Sequence, residues 1–196
     1  MLTIQTLTLG LYQTNCYILH DDSCQRCCVI DPGYDPDTVL THLKQQGLTL
    51  EAILLTHGHF DHVGAVKELA AQTDCRVFLC PQELSLPAMI TAGSLFYTDT
   101  YGEGDILELA GLSIRVFATP GHTPGSVCLL TGDALFSGDT LFAGSCGRTD
   151  LPGGDWATIR RSLKRLSEMA LSCRVFPGHG ESTTLDAEKL YNPYLR

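Results

Sequence analysis

The chain has 196 residues, 44% of them apolar and 18% charged, which provides for a full hydrophobic core and is unlike a disordered chain. Its 13 basic against 22 acidic residues leave a net charge of −9, which argues against a nucleic-acid groove or a patch for an anionic membrane. No apolar run approaches the roughly 20 residues of a bilayer span, and the amino terminus alternates polar and apolar residues rather than forming a basic-then-apolar leader, so the expected location is the cytoplasm. Nine cysteines, several inside apolar runs such as Val127-Cys128-Leu129-Leu130, read as reduced, small buried hydrophobes rather than a disulfide framework.

Short β-like runs open the chain at 2–9, 14–20 and 27–31, the last ending in Asp31-Pro32-Gly33. Cys24-Gln25-Arg26-Cys27-Cys28 contains a C-x-x-C pair, but it follows Asp22-Ser23 between two of these runs and reads as a hairpin turn, not a soft-metal or redox site. Asp35-Pro36-Asp37 opens a helix to about Gln46, with Val39, Leu40 and Leu43 on one face and Gly47 as its stop. The apolar strand Ala52-Ile53-Leu54-Leu55-Thr56 runs into a histidine-rich turn. A helix follows from about His62 to Gln72, then a strand from Cys75 to Cys80. Residues 81–101 read as irregular. Four β-like runs come next, at 105–109, 112–119, 126–131 and 134–137. Asp155 caps an amphipathic helix to about Ala170, with Ile159, Leu163 and Leu166 at helical spacing. A strand Arg174-Val175-Phe176 and a short helix from Thr184 to Leu190 complete the series. The order of the first half repeats in the second, which predicts two sheets with helices on their outer faces.

The chemistry concentrates in His57-Gly58-His59-Phe60-Asp61-His62, which holds three of the chain's seven histidines. His57 and His59 point the same way in an extended turn and can reach one metal, with Gly58 letting the backbone bend between them. Asp61 and His62, where the next helix begins, can face a second. Imidazole and carboxylate are ligands that a borderline Lewis acid such as Zn²⁺ takes. His122, Asp139 and His179 each stand at the end of an apolar strand, in a glycine-containing loop, where a rigid sheet can present them. A structural zinc site, closed by four mostly cysteine ligands, does not match seven nitrogen and oxygen donors. His20 and His42 fall outside the pattern and read as surface residues.

On this H-x-H-x-D-H motif with the later His, Asp and His, the chain resembles the metallo-β-lactamase fold superfamily over essentially its whole length. The resemblance implies the α+β class, an αββα sandwich of two mixed sheets, with one such domain over 1–196. It further implies a first metal on His57, His59 and His122, a second on Asp61, His62 and His179, and Asp139 bridging both. Two divalent cations per chain are expected, Zn²⁺ first, with Fe or Mn as alternatives. The best-known lactamases carry cysteine where this chain has Asp139, which lowers the lactam reading. Ser137-Gly138-Asp139-Thr140-Leu141-Phe142 and Cys146-Gly147-Arg148 are similar to glyoxalase II, the hydroxyacylglutathione hydrolase. Asp150-Leu151-Pro152-Gly153-Gly154-Asp155 and Asn192-Pro193-Tyr194-Leu195 are similar to its short bacterial branch, without the added helical C-terminal domain that helps grip glutathione.

The expected activity is hydrolysis of a small acyl thioester, S-lactoylglutathione or a relative, by a hydroxide that bridges the two cations. Asp61 and Asp139 are its catalytic carboxylates, and a thiol of pKa about 8.5 leaves without a dedicated acid. Candidate substrate contacts are Arg148, through its forked donors, with a structural salt bridge to Asp150 or Asp155 as the equal alternative, and the aromatic residues Phe60, Tyr97 and Phe142. Asp31 is expected to orient a ligand histidine from behind. The rival activity is a mononuclear-iron persulfide dioxygenase, a family with a Gly-Arg-Thr-Asp run like that of residues 147–150. A β-lactamase or a non-catalytic metal-binding module ranks lower.

Overall fold

The apolar runs sort into two sheets. In the computed structural model, which describes residues 1–195, Leu2–Leu9 (β1) and Thr14–Asp21 (β2) pair antiparallel, from Leu2 opposite Asp21 to Leu9 opposite Thr14. Arg26–Ile30 (β3) is antiparallel to β2 and parallel to Thr49–Leu54 (β4). Arg76–Leu79 (β5) and the edge strand Asp99–Thr100 (β6) continue the sheet in parallel, in the order β1-β2-β3-β4-β5-β6. Parallel neighbours need crossovers. Helix α1 (Pro36–Gln46) supplies the first, and α2 (Phe60–Val63) with α3 (Val66–Thr73) the second.

The second sheet starts with Ile106–Leu109 (β7), Leu112–Ala118 (β8), Val127–Thr131 (β9) and Ala134–Gly138 (β10). A small hairpin of Leu141–Phe142 (β11) and Ser145–Cys146 (β12) branches off, and helix α4 (Trp156–Glu168) carries the chain to Arg174–Pro177 (β13). β13 lies parallel to β10, Thr183–Thr184 (β14) forms the edge, and α5 (Leu185–Tyr191) packs beside it. The order is β14-β13-β10-β9-β8-β7.

Side-chain alternation assigns the faces. Along β3, Cys28 and Ile30 turn inward with Leu54, Phe78, Val116, Leu129 and Phe136 between the sheets. Cys27 and Val29 turn outward against Val39 of α1 and Leu69 of α3. On the far side, Ile159, Leu163 and Leu166 of α4 cover Cys128, Leu135 and Val175. This is the αββα sandwich expected, each fully buried side chain of this kind contributing about 1.5–3 kcal/mol. All nine cysteines are unpaired, as read. Among the described residues no helix is long and apolar enough to cross a membrane.

Two stretches differ from the sequence reading. The single helix expected over 62–72 is two, because the chain folds onto the loop after β3: a Cβ on Gly64 would lie 2.2 Å from the Gly33 carbonyl oxygen, and the Ala65 N–H donates to Pro32 O at 3.0 Å. Residues 81–101, read as irregular, contain a 3₁₀ turn at Pro81–Ser85 and the strand β6. The strand expected at 52–56 begins and ends earlier, leaving Leu55 to His59 as a connection. That connection meets the residues that follow β3, β8, β10 and β13 at one edge of the sandwich. Ligands gather at such carboxyl-end crevices in open sheets.

Candidate metal centre

The walls of this edge are sewn together by backbone. The Val127 N–H donates to Thr56 O at 2.9 Å and the Asn15 N–H to Gly178 O at 2.8 Å, so both sheets share one frame. Asn15 Nδ2 adds bonds to Pro177 O (3.1 Å) and Gly180 O (2.9 Å), and Tyr17 donates its hydroxyl to Pro177 O at 2.6 Å. The space is so tight that a Cβ on Gly178 would lie 2.2 Å from Asp139 Oδ1 and 2.7 Å from His62 Cε1. Glycine is required there.

Each imidazole is aimed by what holds its far nitrogen. Asp31 Oδ1 accepts from the Thr56 N–H at 2.8 Å, and its Oδ2 accepts from Thr56 Oγ1 at 2.5 Å and from His62 Nδ1 at 2.9 Å. Thr56 Oγ1, its own proton given to Asp31, lies 3.1 Å from His57 Nδ1 and accepts from it. His122 Nδ1 donates to Arg148 O at 2.7 Å, and His179 Nδ1 to Tyr12 O at 3.1 Å. Four rings therefore turn Nε2 into the centre, the arrangement in which an outer acceptor fixes the tautomer of a ligating histidine. His59 is reversed, its Nδ1 facing His122 Nε2 at 2.9 Å. On the other side, His62 Nε2 and His179 Nε2 face each other at 3.3 Å. Asp61 Oδ2 sits 3.3 Å from His179 Nε2 and 3.7 Å from His62 Nε2.

Asp139 reaches both halves. Its Oδ1 lies 3.4 Å from His62 Nε2, and its Oδ2 lies 3.5 Å from His122 Nε2 and 3.6 Å from His179 Nε2. The seven groups named from the sequence thus converge, and Asp31 stands behind His62.

Electrostatics divide the centre in two. Burial, reinforced by the neighbouring imidazoles, drives His57 far below the ordinary histidine value and His59 down to about 4. Burial also lowers His122. These three rings stand neutral at pH 7, the form that ligates. Burial opposes charge on His62 too, yet Asp139, Asp31 and Asp61 overcome it and raise the ring to about 9. His179 is raised against the same opposition by its hydrogen bond to Asp61 and by Asp139. The two halves thus differ in sign: burial favours neutral rings in the first, and the carboxylates favour protonated rings in the second.

The donor set fits divalent metal. Among the described residues, the buried side-chain N and O atoms without a hydrogen-bond partner are His57 Nε2, His59 Nε2 and Asp139 Oδ1, all belonging to this cluster. Buried polar atoms are almost always partnered, so the orphaned His57 Nε2 and Asp139 Oδ1 mark a missing occupant, while His59 offers its Nδ1 to the centre and turns Nε2 away. Nitrogens bound at roughly 2.0–2.1 Å to a tetrahedral zinc stand about 3.3 Å apart, the spacing between His62 and His179. His57, His59 and His122 form one trio able to hold an ion, and Asp61, His62 and His179 another. Asp31 also lies within reach of His57 and His62, but both its oxygens are occupied by Thr56 and His62.

The centre opens into a cleft of about 720 Å³, within the usual range for small-molecule sites. Phe60 and Phe142 line it, as expected; Tyr97 does not, being carried to the sheet edge with Thr98, whose N–H donates to Val77 O at 2.9 Å. Arg148 lines the cleft too, but its guanidinium forms a two-pronged bond to Asp150 (2.7 and 2.6 Å) and its carbonyl holds His122. Sequence reasoning missed Tyr12, Ile90 and Leu151, apolar walls supplied by separate loops. Tyr12 packs edge-on against Phe60, ring centres 5.2 Å apart. It also missed Thr56, whose position directly before His57 is the only signal the sequence offers.

Comparison with known proteins agrees with this geometry. Residues 9–179 match the model of the metallo-beta-lactamase superfamily. The chain is 32% identical over 209 residues to the hydroxyacylglutathione hydrolase GloC of Haemophilus influenzae, covering 99% of this chain and 98% of that protein. The crystal structure of BLEG-1 B3 metallo-beta-lactamase superposes with TM-score 0.89 at 36% identity, covering 98% of this chain and 99% of that one. That of TTHA1623 in a di-iron-bound form does so with TM-score 0.86 at 40% identity, covering 97% and 100%. A fold, a ligand-type cluster and a whole-length sequence match all agree: the chain belongs to the metallo-beta-lactamase superfamily.

Proposed function

We propose that this protein is a dinuclear metal-dependent hydrolase of small acyl thioesters, with S-lactoylglutathione or a related hydroxyacyl thioester as substrate. The observation that carries the metal chemistry is the convergence of five imidazoles and two carboxylates on one cleft, with orphaned donor atoms inside it. The thioester is supported by the runs shared with glyoxalase II and by whole-length similarity to GloC. In this reading His57, His59 and His122 hold one cation, Asp61, His62 and His179 the other, and Asp139 both. Bound there, the ions, Zn²⁺ first and Fe or Mn as alternatives, supply Lewis acidity and water that ionises near neutral pH.

The chain's own residues do the rest. Asp61, a ligand of the second cation in this reading, lines the cleft and would orient the proton of the attacking water. Phe60, Phe142 and Tyr12 flank the acyl group and exclude bulk water. The thiolate departs unassisted, since its pKa of about 8.5 makes it a good leaving group. The acidic surface supports a small-molecule partner rather than nucleic acid or membrane. Nine unpaired thiols support a reducing compartment such as the cytoplasm.

The test is an assay of the metal-loaded protein on S-lactoylglutathione and on simpler acyl thioesters, following thiol release, beside a β-lactam and a glutathione persulfide. Thiol release from a thioester, with kcat/KM above about 10⁴ M⁻¹s⁻¹, is the expected result. One iron per chain with oxygen uptake and sulfite formation would establish the dioxygenase instead.

A further inference from the structure

Glu83 is a fully buried carboxylate that the chemistry above does not use. It lies on the 3₁₀ turn Pro81–Ser85 after β5, far in sequence from every ligand. Its two oxygens go to two different loops. Oε2 accepts from the Gly58 N–H at 2.5 Å, and Oε1 accepts from the Gly125 N–H at 2.6 Å. Gly58 lies between His57 and His59, and Gly125 lies three residues after His122. One carboxylate therefore clips together the loops that carry the three neutral imidazoles.

The cradle is shaped to this side chain. A Cβ on Gly125 would lie 2.8 Å from Glu83 Oε1 and 2.9 Å from its Cγ, and a Cβ on Gly58 would lie 3.0 Å from Oε2. Charged acceptors on backbone N–H groups in a dry interior make short, strong bonds. Asp61, His62 and His179 are held differently, by Thr14, Asp31 and the Tyr12 carbonyl respectively.

Resting on the metal-centre reading above, we infer that Glu83 is a positioning residue for the three-histidine half alone: by fixing the Gly58 and Gly125 loops it sets the His59–His122 spacing and thereby the affinity of that half for its cation. Burial of a carboxylate is otherwise costly, and here it is compensated by two bonds that both end on ligand loops. Removing one acceptor leaves a buried N–H unpaired and lets one loop drift, while the other half keeps its supports.

The experiment is a Zn²⁺ titration against a competing chelator on the metal-free full-length chain, comparing wild type with Glu83→Gln and with Asp31→Asn. Wild type is expected to take two Zn²⁺. Glu83→Gln should weaken one of the two by about 10- to 100-fold and leave the other within twofold, as loss of an outer partner of metal ligands does. Asp31→Asn, which loosens His62 directly and His57 through Thr56, should weaken both and serves as the non-selective comparison. On a thioester substrate, Glu83→Gln should lower kcat at limiting metal with KM unchanged, and excess Zn²⁺ should restore it. Should Glu83→Gln fail to fold, Gly125→Ala displaces the same carboxylate with its charge kept and is read by the same titration. Two Zn²⁺ bound with wild-type affinities in the Glu83 or Gly125 variant, or both weakened alike there, would overturn the inference while the metal-centre reading stands. A wild-type chain that takes up no Zn²⁺ would overturn that reading itself.

Discussion

Asp139 stands at the end of β10, directly after Gly138, whose φ of +48° suits glycine and where a Cβ would lie 2.3 Å from Thr56 Oγ1. This turn delivers a carboxylate whose oxygens approach His62 on one side and His122 and His179 on the other. In this account no other side chain holds both cations. Asp139→Ala should lower kcat/KM at least about a thousandfold, roughly 4 kcal/mol of transition-state stabilisation, and reduce bound metal below two per chain. The fold should survive, since the residue contributes no core packing. Circular dichroism, metal analysis and a thioester assay on one sample check this, and full turnover with normal metal content would contradict the bridging role.

At the scale of elements, the centre depends on how α4 and the loop before β7 grip the second sheet. Glu103 accepts two bonds from Arg165 of α4, at 2.9 and 2.5 Å, and one from the Ala118 N–H at the end of β8, at 2.7 Å. Arg165 holds the Glu103 carboxyl below its ordinary value of 4.5. A carboxyl depressed in the folded state adds stability above its unfolded pKa and loses it as pH falls through the folded one. The pair is about half exposed, so solvent screening limits it to about 0.5 kcal/mol. Glu103→Gln should lower Tm by about 1–2 °C at pH 7, and the gap should close as pH falls from about 5 to 3. A gap that persists at pH 3 in a thermal melt would contradict the assignment.

The same elements show what the sequence could express. α4 was legible because its signals are local: Asp155 accepts from the Thr158 N–H at 2.7 Å as its cap, and Ile159, Leu163 and Leu166 form one apolar stripe. The H-x-H-x-D-H turn was legible because its donors are consecutive. The break between α2 and α3 was not, since it is imposed by the Gly33 loop, some thirty residues away in sequence. Glu83 was hidden for a related reason. A glutamate on a short turn reads as solvated, and only the fold brings Gly58 and Gly125 to its oxygens. Tyr97 misled because an aromatic residue carries no sign of which edge it will occupy.

The whole molecule is two half-sandwiches packed face to face, whose strand-end loops converge at one edge. The first sheet's loops contribute His57, His59, Asp61 and His62, and the second sheet's contribute His122, Asp139 and His179. Cations held by both halves would tie the sheets together, adding about 2.7 kcal/mol of stability at a hundredfold excess over Kd. Catalysis, metal and part of the folding free energy should therefore rise and fall together. The most direct test is metal analysis of the purified chain with thioester turnover followed through exhaustive chelation and Zn²⁺ readdition. The account predicts two ions per chain, turnover that vanishes as they are withdrawn and returns when they are restored, and a lower Tm between. Undiminished turnover from a chain stripped of metal would contradict it.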